Sequence, residues 1–334
     1  MTRVCFVVGH EDRYDSQGAL ASPSDTPEAY WRVALPAQHL GATAAILGHR
    51  GAEERALAAD VIWIHQPTSE VAASLAEVGR CKGRAVIVDF SEDPWLREYS
   101  DARLAGMERV LEAASLIVVA NECLVDVFRG FSAPLQVIRP VIPLGPGWLP
   151  KPPVSPPLLS WWCDGRQRRG FEDVAPALRR VLDETDVRLA QIQFAHMRPL
   201  VTGLETKAAA SMSARFHSYF ADDQNLTAEG NMAIFRAALA PAALHMECYP
   251  ISQYRETVSD LPLLRAAALG VPSITTRSQA PPGALSSPPD EWADTILSVL
   301  QDPDKRRGLS LSARAWAETR SGFDAYQATI EEVL

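Results

Sequence analysis

The chain has 334 residues, 47% of them hydrophobic and 22% charged, which is enough apolar material for the cores of two ordinary domains and argues against a disordered chain. The longest apolar runs, such as Ser115 to Ala120 and Ala237 to Leu244, fall well short of the ~20 residues a membrane-spanning helix needs, and Met1 leads into a strand-like segment rather than a signal sequence, so we expect a cytoplasmic protein with no membrane span. A net charge of −9 argues against broad contact with nucleic acid, and five scattered cysteines (Cys5, Cys81, Cys123, Cys163, Cys248) with no C-x-x-C pair suggest neither a disulfide framework nor a zinc site.

In chain order, short β-branched runs recur at the spacing of strand–helix units: Val4 to Val8, Ala44 to Leu47, Val61 to His65, Ala85 to Asp89, Ser115 to Ala120 and Leu135 to Ile138. Amphipathic stretches such as Ser69 to Cys81 and Asp101 to Ala114 lie between them. Continuous apolar strands flanked by helices predict a parallel sheet covered on both faces. From Arg139 to Pro157 the chain reads RPVIPLGPGWLPKPPVSPP, and so many prolines remove backbone donors and fix φ, which predicts a linker. The rhythm then resumes with a strand at Leu158 to Trp162, a helix with Val174, Leu178, Val181 and Leu182 on one face, and a strand at Arg188 to Phe194. Pro288 to Leu334 is helical by spacing, with Trp292, Ile296 and Leu300 on one face and a break at Asp302-Pro303.

The most informative stretch is Ser259 to Thr276, SDLPLLRAAALGVPSITT. Ser259 is a suitable helix cap, Pro262 is tolerated in a first turn, Gly270 suits the left-handed position after a helix end, and Val271 to Thr276 reads as a strand. The N-terminus of such a helix, at Ser259, Asp260 and Leu261, offers unpaired N–H groups and partial positive charge to a diphosphate, although most helix starts serve structure alone.

This segment resembles the signature of family-4 glycosyltransferases, a helix rich in Glu and Ala followed by a G-x-P-x-I strand, and especially the short, often virus-encoded members that read S-D-L-K-x-L-E-A-A-A-L-G-V-P-V-I. The match runs from Ser259 to Ile274, with Pro262 at the Lys position and Arg265 at the Glu position. Tyr30 to Leu40 is similar to that family's first helix, and Ala85 to Trp95, AVIVDFSEDPW, to its strand ending in an acidic cluster. Val118 to Asn121 and Gln136 to Ile142 are similar to its next two strands, and Asp164 to Phe171, DGRQRRGF, to the G-R…K-G-F element that opens its second domain, with Arg169 at the Lys position.

The resemblance implies an α/β protein of the GT-B class: two Rossmann-like, doubly wound domains facing across a cleft, with a helical C-terminus. It places an acceptor-side domain over 1–140, the linker over 141–157, a nucleotide-sugar domain over 158–310, and C-terminal helices over 311–334 that pack back on the first domain. It implies a retaining, metal-independent hexosyl or pentosyl transfer from a UDP- or GDP-sugar to an acceptor hydroxyl on a glycan, a protein or a modified nucleic acid. No cofactor is expected besides the donor substrate. Donor binding would fall to Arg166, Arg169, Ser259, Asp260, Leu261, Arg265 and Glu256. Arg32, with Asp89, Glu92 and Asp93 at a strand's carboxyl end, would serve catalysis by orienting sugar or acceptor hydroxyls. Each also has a structural reading: DGRQRRG as a solvated basic turn, Arg32 as an exposed side chain packed on Trp31, and Asp93 before Pro94 as a turn or cap residue.

Two positions depart from the pattern. The family's ribose-binding Glu is Arg265 here, and the acidic or polar residue eight places earlier is Thr257. A guanidinium cannot accept the hydrogen bonds that a carboxylate accepts. Three outcomes follow: Arg265 contacts phosphate, Glu256 takes over, or donor binding is lost and the chain is a catalytically silent binding or partner subunit. Transfer to modified DNA bases is a further alternative, against which the acidic balance counts. None of the seven histidines forms a metal-like pair, and His65 at a strand end reads as a structural histidine. The tract from Ala209 to Ala221 is where the family covers the nucleotide base. No G-x-S-x-G, Walker or H-E-x-x-H motif occurs.

Overall fold

The computed structural model describes residues 2–9, 30–96, 100–162, 167–194, 216–221, 235–250 and 254–334. The chain divides into two compact units. The first comprises Met1–Val141, Thr257–Asp260 and Gly322–Leu334; the second comprises Ile142–Glu256 and Leu261–Ser321.

The first unit is a six-stranded parallel sheet in the order β2-β1-β3-β4-β5-β6, formed by β1 (Val4–Val8), β2 (Thr43–Ile46), β3 (Val61–His65), β4 (Ala85–Phe90), β5 (Leu116–Val119) and β6 (Leu135–Val137). Between them run α1 (Leu35–His39, entered through a π-helical turn at Tyr30–Ala34), α2 (Ala52–Ala58), α3 (Glu70–Cys81), α4 (Asp101–Ala113) and α5 (Cys123–Phe128). Ser69 caps α3, its Oγ accepting from the Ala72 N–H at 3.0 Å. Alternation along the strands separates two cores. Ile62, Ile64, Val86 and Val88 face α3 and α4 residues such as Leu75 and Met107, whereas Phe6, Trp63, Ile87 and Val118 meet α11 (Asp324–Glu332) through Phe323, Tyr326 and Ile330. Both faces are therefore apolar, as the sequence pattern requires.

The second unit repeats the plan with the order β12-β11-β10-β7-β8-β9, again parallel throughout. Its strands are β7 (Leu158–Trp162), β8 (Arg188–Phe194), β9 (Phe216–Ala221), β10 (Leu244–Glu247), β11 (Ser273–Thr275) and β12 (Ala284–Ser286); its helices are α6 (Gln167–Glu184), α7 (Tyr254–Thr257), α8 (Leu261–Ala268), α9 (Trp292–Gln301) and α10 (Pro303–Glu318). Leu159, Trp161, Val174, Leu178, Leu244, Met246, Trp292 and Ile296 form one core face. Asp302 caps α10, where Pro303 occupies the first turn, so the expected break between α9 and α10 has a defined chemistry. α8 begins at Leu261, which leaves Asp260 rather than Ser259 as its flanking residue, and Gly270 has φ +68° with Pro150 packed 3.1 Å from where a Cβ would stand. Among the described residues no helix is long and apolar enough to cross a membrane.

Candidate functional site

In doubly wound sheets, ligands bind beyond the carboxyl ends of the strands where the strand order reverses. In the first unit that point lies between β1 and β3. The strand ends there are tied together by backbone bonds: Gly9 N–H to His65 O at 2.8 Å, Thr68 N–H to Gly9 O at 3.3 Å, and Gln66 N–H to Asp89 O at 2.9 Å. Around them lies a buried polar row of His65, Gln66, Thr68, Ser69, Asp89, Ser91, Glu92 and Asp93.

Asp89 is fully buried and stands at the centre of this row. Arg32, 1% exposed, gives Asp89 a bidentate ion pair, Nε donating to Oδ2 at 3.0 Å and Nη2 donating to Oδ1. Arg32 Nη1 donates to Ile138 O at 2.8 Å, and its guanidinium lies 5.7 Å from the Tyr326 ring centre. His65 Nδ1 meets Asp89 Oδ2 at 2.9 Å. Burial alone would raise the proton affinity of Asp89, but Arg32 and the His65 hydrogen bond outweigh it and hold the carboxyl below its usual range. Burial pushes the Tyr326 hydroxyl the other way, well above an ordinary phenol. Thus Arg32 is not an exposed side chain packed on Trp31: it is buried and paired with Asp89.

Asp93 accepts from the Trp95 N–H at 2.9 Å, the turn role its place before Pro94 suggests, and burial raises its proton affinity. Glu92 beside it is also buried. Asn121 Oδ1 accepts from the Leu124 N–H at the start of α5 at 3.2 Å, and its Nδ2 donates to the carbonyls of Thr257 and Val258 at 3.1 Å each, which anchors the segment carrying Thr257, Ser259 and Asp260 within the first unit.

In the second unit the order reverses between β7 and β10. Arg166 lies outside the described residues, and Arg169 is on α6, its side chain outside them as well. The backbone of that element is informative nonetheless. A Cβ on Gly170 would fall 2.4 Å from Cys248 O, so only glycine lets the first turn of α6 lie against the end of β10, while Phe171 stacks on Trp161 at 3.8 Å between ring centres. The N-terminus of an 18-residue helix thereby starts at the switch point, and the first N–H groups of a helix have no partner within it.

At the end of β10, Glu247 is fully buried and accepts from Thr275 Oγ1 at 2.7 Å and from Arg277 Nε and Nη2 at 2.8 and 2.7 Å. Thr276 closes the same corner, its Oγ1 accepting from Tyr249 N–H at 3.0 Å and donating to Tyr249 O at 2.8 Å. Glu256 accepts from Arg255 Nε at 2.7 Å and from the N–H and hydroxyl of Ser278 at 3.0 and 2.9 Å; burial opposes its charge, but these donors hold its carboxyl below the usual range. Leu261 is buried at the start of α8. Arg265, 3% exposed, lies with its guanidinium 5.3 Å from the Phe235 ring centre. Burial, with the Arg265 charge nearby, depresses the pKa of His245 to about 3, so this ring is neutral; its Nδ1 lies 3.1 Å from Ser160 Oγ.

Sequence reasoning overlooked His245, Glu247 and Arg277. The alternation of Leu244, His245, Met246 and Glu247 carried a signal, since it puts both polar residues on one strand face. Arg277, the partner of Glu247, is thirty residues further on and becomes visible only through the pairing of β10 with β11. Among the described residues, no three His, Cys, Asp or Glu side chains group as a metal site.

No protein-family model and no curated protein matches the chain. Solved structures do. HepE of Anabaena in complex with UDP-glucose aligns over 99% of both chains at 13% identity with a TM-score of 0.65. A glycosyltransferase from Rickettsia africae ESF-5 aligns over 99% of this chain and 98% of its own at 9% identity, TM-score 0.67. The lipopolysaccharide outer core galactosyltransferase WaaB in its apo form aligns over 100% of both at 11% identity, TM-score 0.59. At such identities the likeness is one of fold, and it covers the chain from end to end: two parallel doubly wound sheets with a helical C-terminus, the GT-B fold.

Proposed function

We propose that this chain is a glycosyltransferase that moves a hexosyl or pentosyl group from a nucleoside-diphosphate sugar, foremost a UDP-sugar, to an acceptor hydroxyl, with retention and without a metal ion. The observation that carries this is the full-length fold match to a protein captured with UDP-glucose. The geometry of the second unit agrees with it. Transfer leaves negative charge on the departing diphosphate, and preorganised N–H groups and cations are what stabilise such charge. The start of α6, held at the switch point by the close approach at Gly170, supplies the first; Arg169 in its first turn and Arg166, just before it in the sequence, supply the second. Retention rests on the family-4 resemblance of the Ser259 to Ile274 segment.

A second reading, a silent relative that binds a ligand without turnover, has one observation in its favour. Glu256 is engaged by Arg255 and Ser278, and Arg265 is buried beside Phe235, which counts against either as a replacement for the family's ribose-binding carboxylate. Incubation with UDP-glucose, UDP-N-acetylglucosamine and GDP-mannose separates the two. Slow release of free nucleotide together with a thermal shift supports the enzyme. A thermal shift with no nucleotide released over a day, with and without chelator, supports the silent relative. Turnover abolished by EDTA and restored by manganese would overturn the metal-independent mechanism.

A further inference from the structure

Among the described residues, the switch point of the first unit holds three buried polar atoms with no hydrogen-bond partner: His65 Nε2, Gln66 Oε1 and Thr68 Oγ1. Each such atom costs about 1–3 kcal/mol when left unmade. Their clustering within four residues, at the one place in this sheet where doubly wound folds take ligands, calls for a common cause. Gln66 adds a second sign. Its φ is +52°, the left-handed region that a residue with a side chain adopts at a cost of about 1–3 kcal/mol and that recurs at ligand clamps.

The chemistry of the three is fixed by what lies behind them. An ionised carboxylate only accepts hydrogen bonds, so Asp89 Oδ2, 2.9 Å away, obliges His65 Nδ1 to carry the ring proton. Neutral imidazole then has an unprotonated Nε2, which can only accept. The Arg32 ion pair keeps Asp89 in the acceptor-only form. Gln66 is oriented by the same logic: its Nε2 donates to Ser91 Oγ at 2.8 Å, which leaves Oε1 as an acceptor. Two acceptors and one hydroxyl without partners, within four residues of one another in the chain, suit a ligand that donates hydrogen bonds, which is what a sugar presents.

We infer that His65 binds a ligand hydroxyl through Nε2, with Asp89 and Arg32 acting as positioning residues that lock its tautomer, and with Gln66 and Thr68 completing a polyol-binding floor on the first unit. This rests on the reading of the chain as a sugar-handling protein but not on turnover. It also assigns Asp89 and Arg32 a role through His65 rather than direct contact with sugar, because every oxygen of Asp89 is already engaged.

Nitrogen-15 NMR of histidine-labelled protein tests it, with the His65 resonances assigned by comparison with His65→Gln. The wild type should show a protonated Nδ1 and an unprotonated Nε2, and glucose, added alone and with UDP present, should shift Nε2 toward a hydrogen-bonded value. The charge-free double variant Arg32→Met/Asp89→Leu should populate both tautomers and bind glucose about tenfold more weakly. A wild-type ring protonated on Nε2, a double variant with the wild-type tautomer, or glucose binding that leaves Nε2 unmoved would each overturn the inference. Nucleotide release measured on the same samples keeps the two readings apart. Turnover with an unmoved Nε2 sinks this inference alone, and a glucose-dependent Nε2 shift without turnover sustains it while the transferase reading fails.

Discussion

Replacing Arg32 by Met tests whether the buried ion pair is as costly to break as its surroundings suggest. Met has a similar stem and no charge, so the substitution leaves Asp89, fully buried, with His65 as its remaining partner. Breaking a buried pair from one side costs about 3–5 kcal/mol, because the surviving charge has lost its compensation. In a domain of about 150 residues each kcal/mol moves the unfolding midpoint by about 2–4 °C, so the first unit should melt about 6–20 °C lower. The sign of the pH dependence provides an internal check. In the wild type the Asp89 pKa is depressed, so its contribution is present above the unfolded carboxyl value near 4 and is lost as pH falls through the folded value. Without Arg32 the burial effect dominates and the folded pKa rises above the unfolded one, so the penalty should be largest at neutral pH and shrink toward pH 4. Differential scanning calorimetry of the single variant and of Arg32→Met/Asp89→Leu at pH 7 and pH 4.5 reads both effects. The double variant, having no orphaned charge, should recover most of the loss. A single variant melting within a degree of wild type, or a double variant as unstable as the sum of its parts, would refute the reasoning.

Three other expectations follow from the second unit. The His245 pKa of about 3 lies below its unfolded value near 6.5, so stability is fully present above pH 6.5 and falls in acid by up to about 1.4 kcal/mol per pH unit; urea titrations at pH 7, 5.5 and 4 should show this slope in wild type and lose most of it in His245→Asn. Gly170→Ala forces a Cβ to 2.4 Å from Cys248 O and should destabilise by about 1–3 kcal/mol while weakening UDP binding, whereas Gly308→Ala on α10, with open space around it, should be neutral or stabilise by up to about 1 kcal/mol. Equal thermal shifts for the two would contradict the close-packing account. Arg166→Ala and Arg169→Ala should each weaken UDP-glucose binding by about 1–3 kcal/mol in calorimetric titration with the melting temperature unchanged; full affinity in both would remove the phosphate role assigned to that element.

The sequence by itself determined the elements and their class. Nine of the twelve strands among the described residues, all but β9, β10 and β12, were legible from local facts: β-branched runs of strand length, period-3.6 stripes between them, and punctuation such as Asp302-Pro303 and Gly270, each of which acts within a few residues of itself. Two rounds of strand and helix on either side of a proline-rich segment therefore sufficed to predict two α/β units, and the resemblance of Ser259 to Ile274 to family-4 glycosyltransferases supplied their doubly wound arrangement. Partnership across the sheets was decided only by tertiary structure. Nothing in the stretch YWRVA says that Arg32 will reach Asp89, 57 residues away, or that the last helix will return to bury Tyr326 over it. The same holds for Glu247 and Arg277, and for Glu256, whose carboxylate goes to Ser278. The physical reason is the same in each case. Propensity and periodicity depend on neighbours along the chain, whereas the protonation, tautomer and availability of a side chain depend on which distant charges and donors the strand order brings within about 3 Å of it.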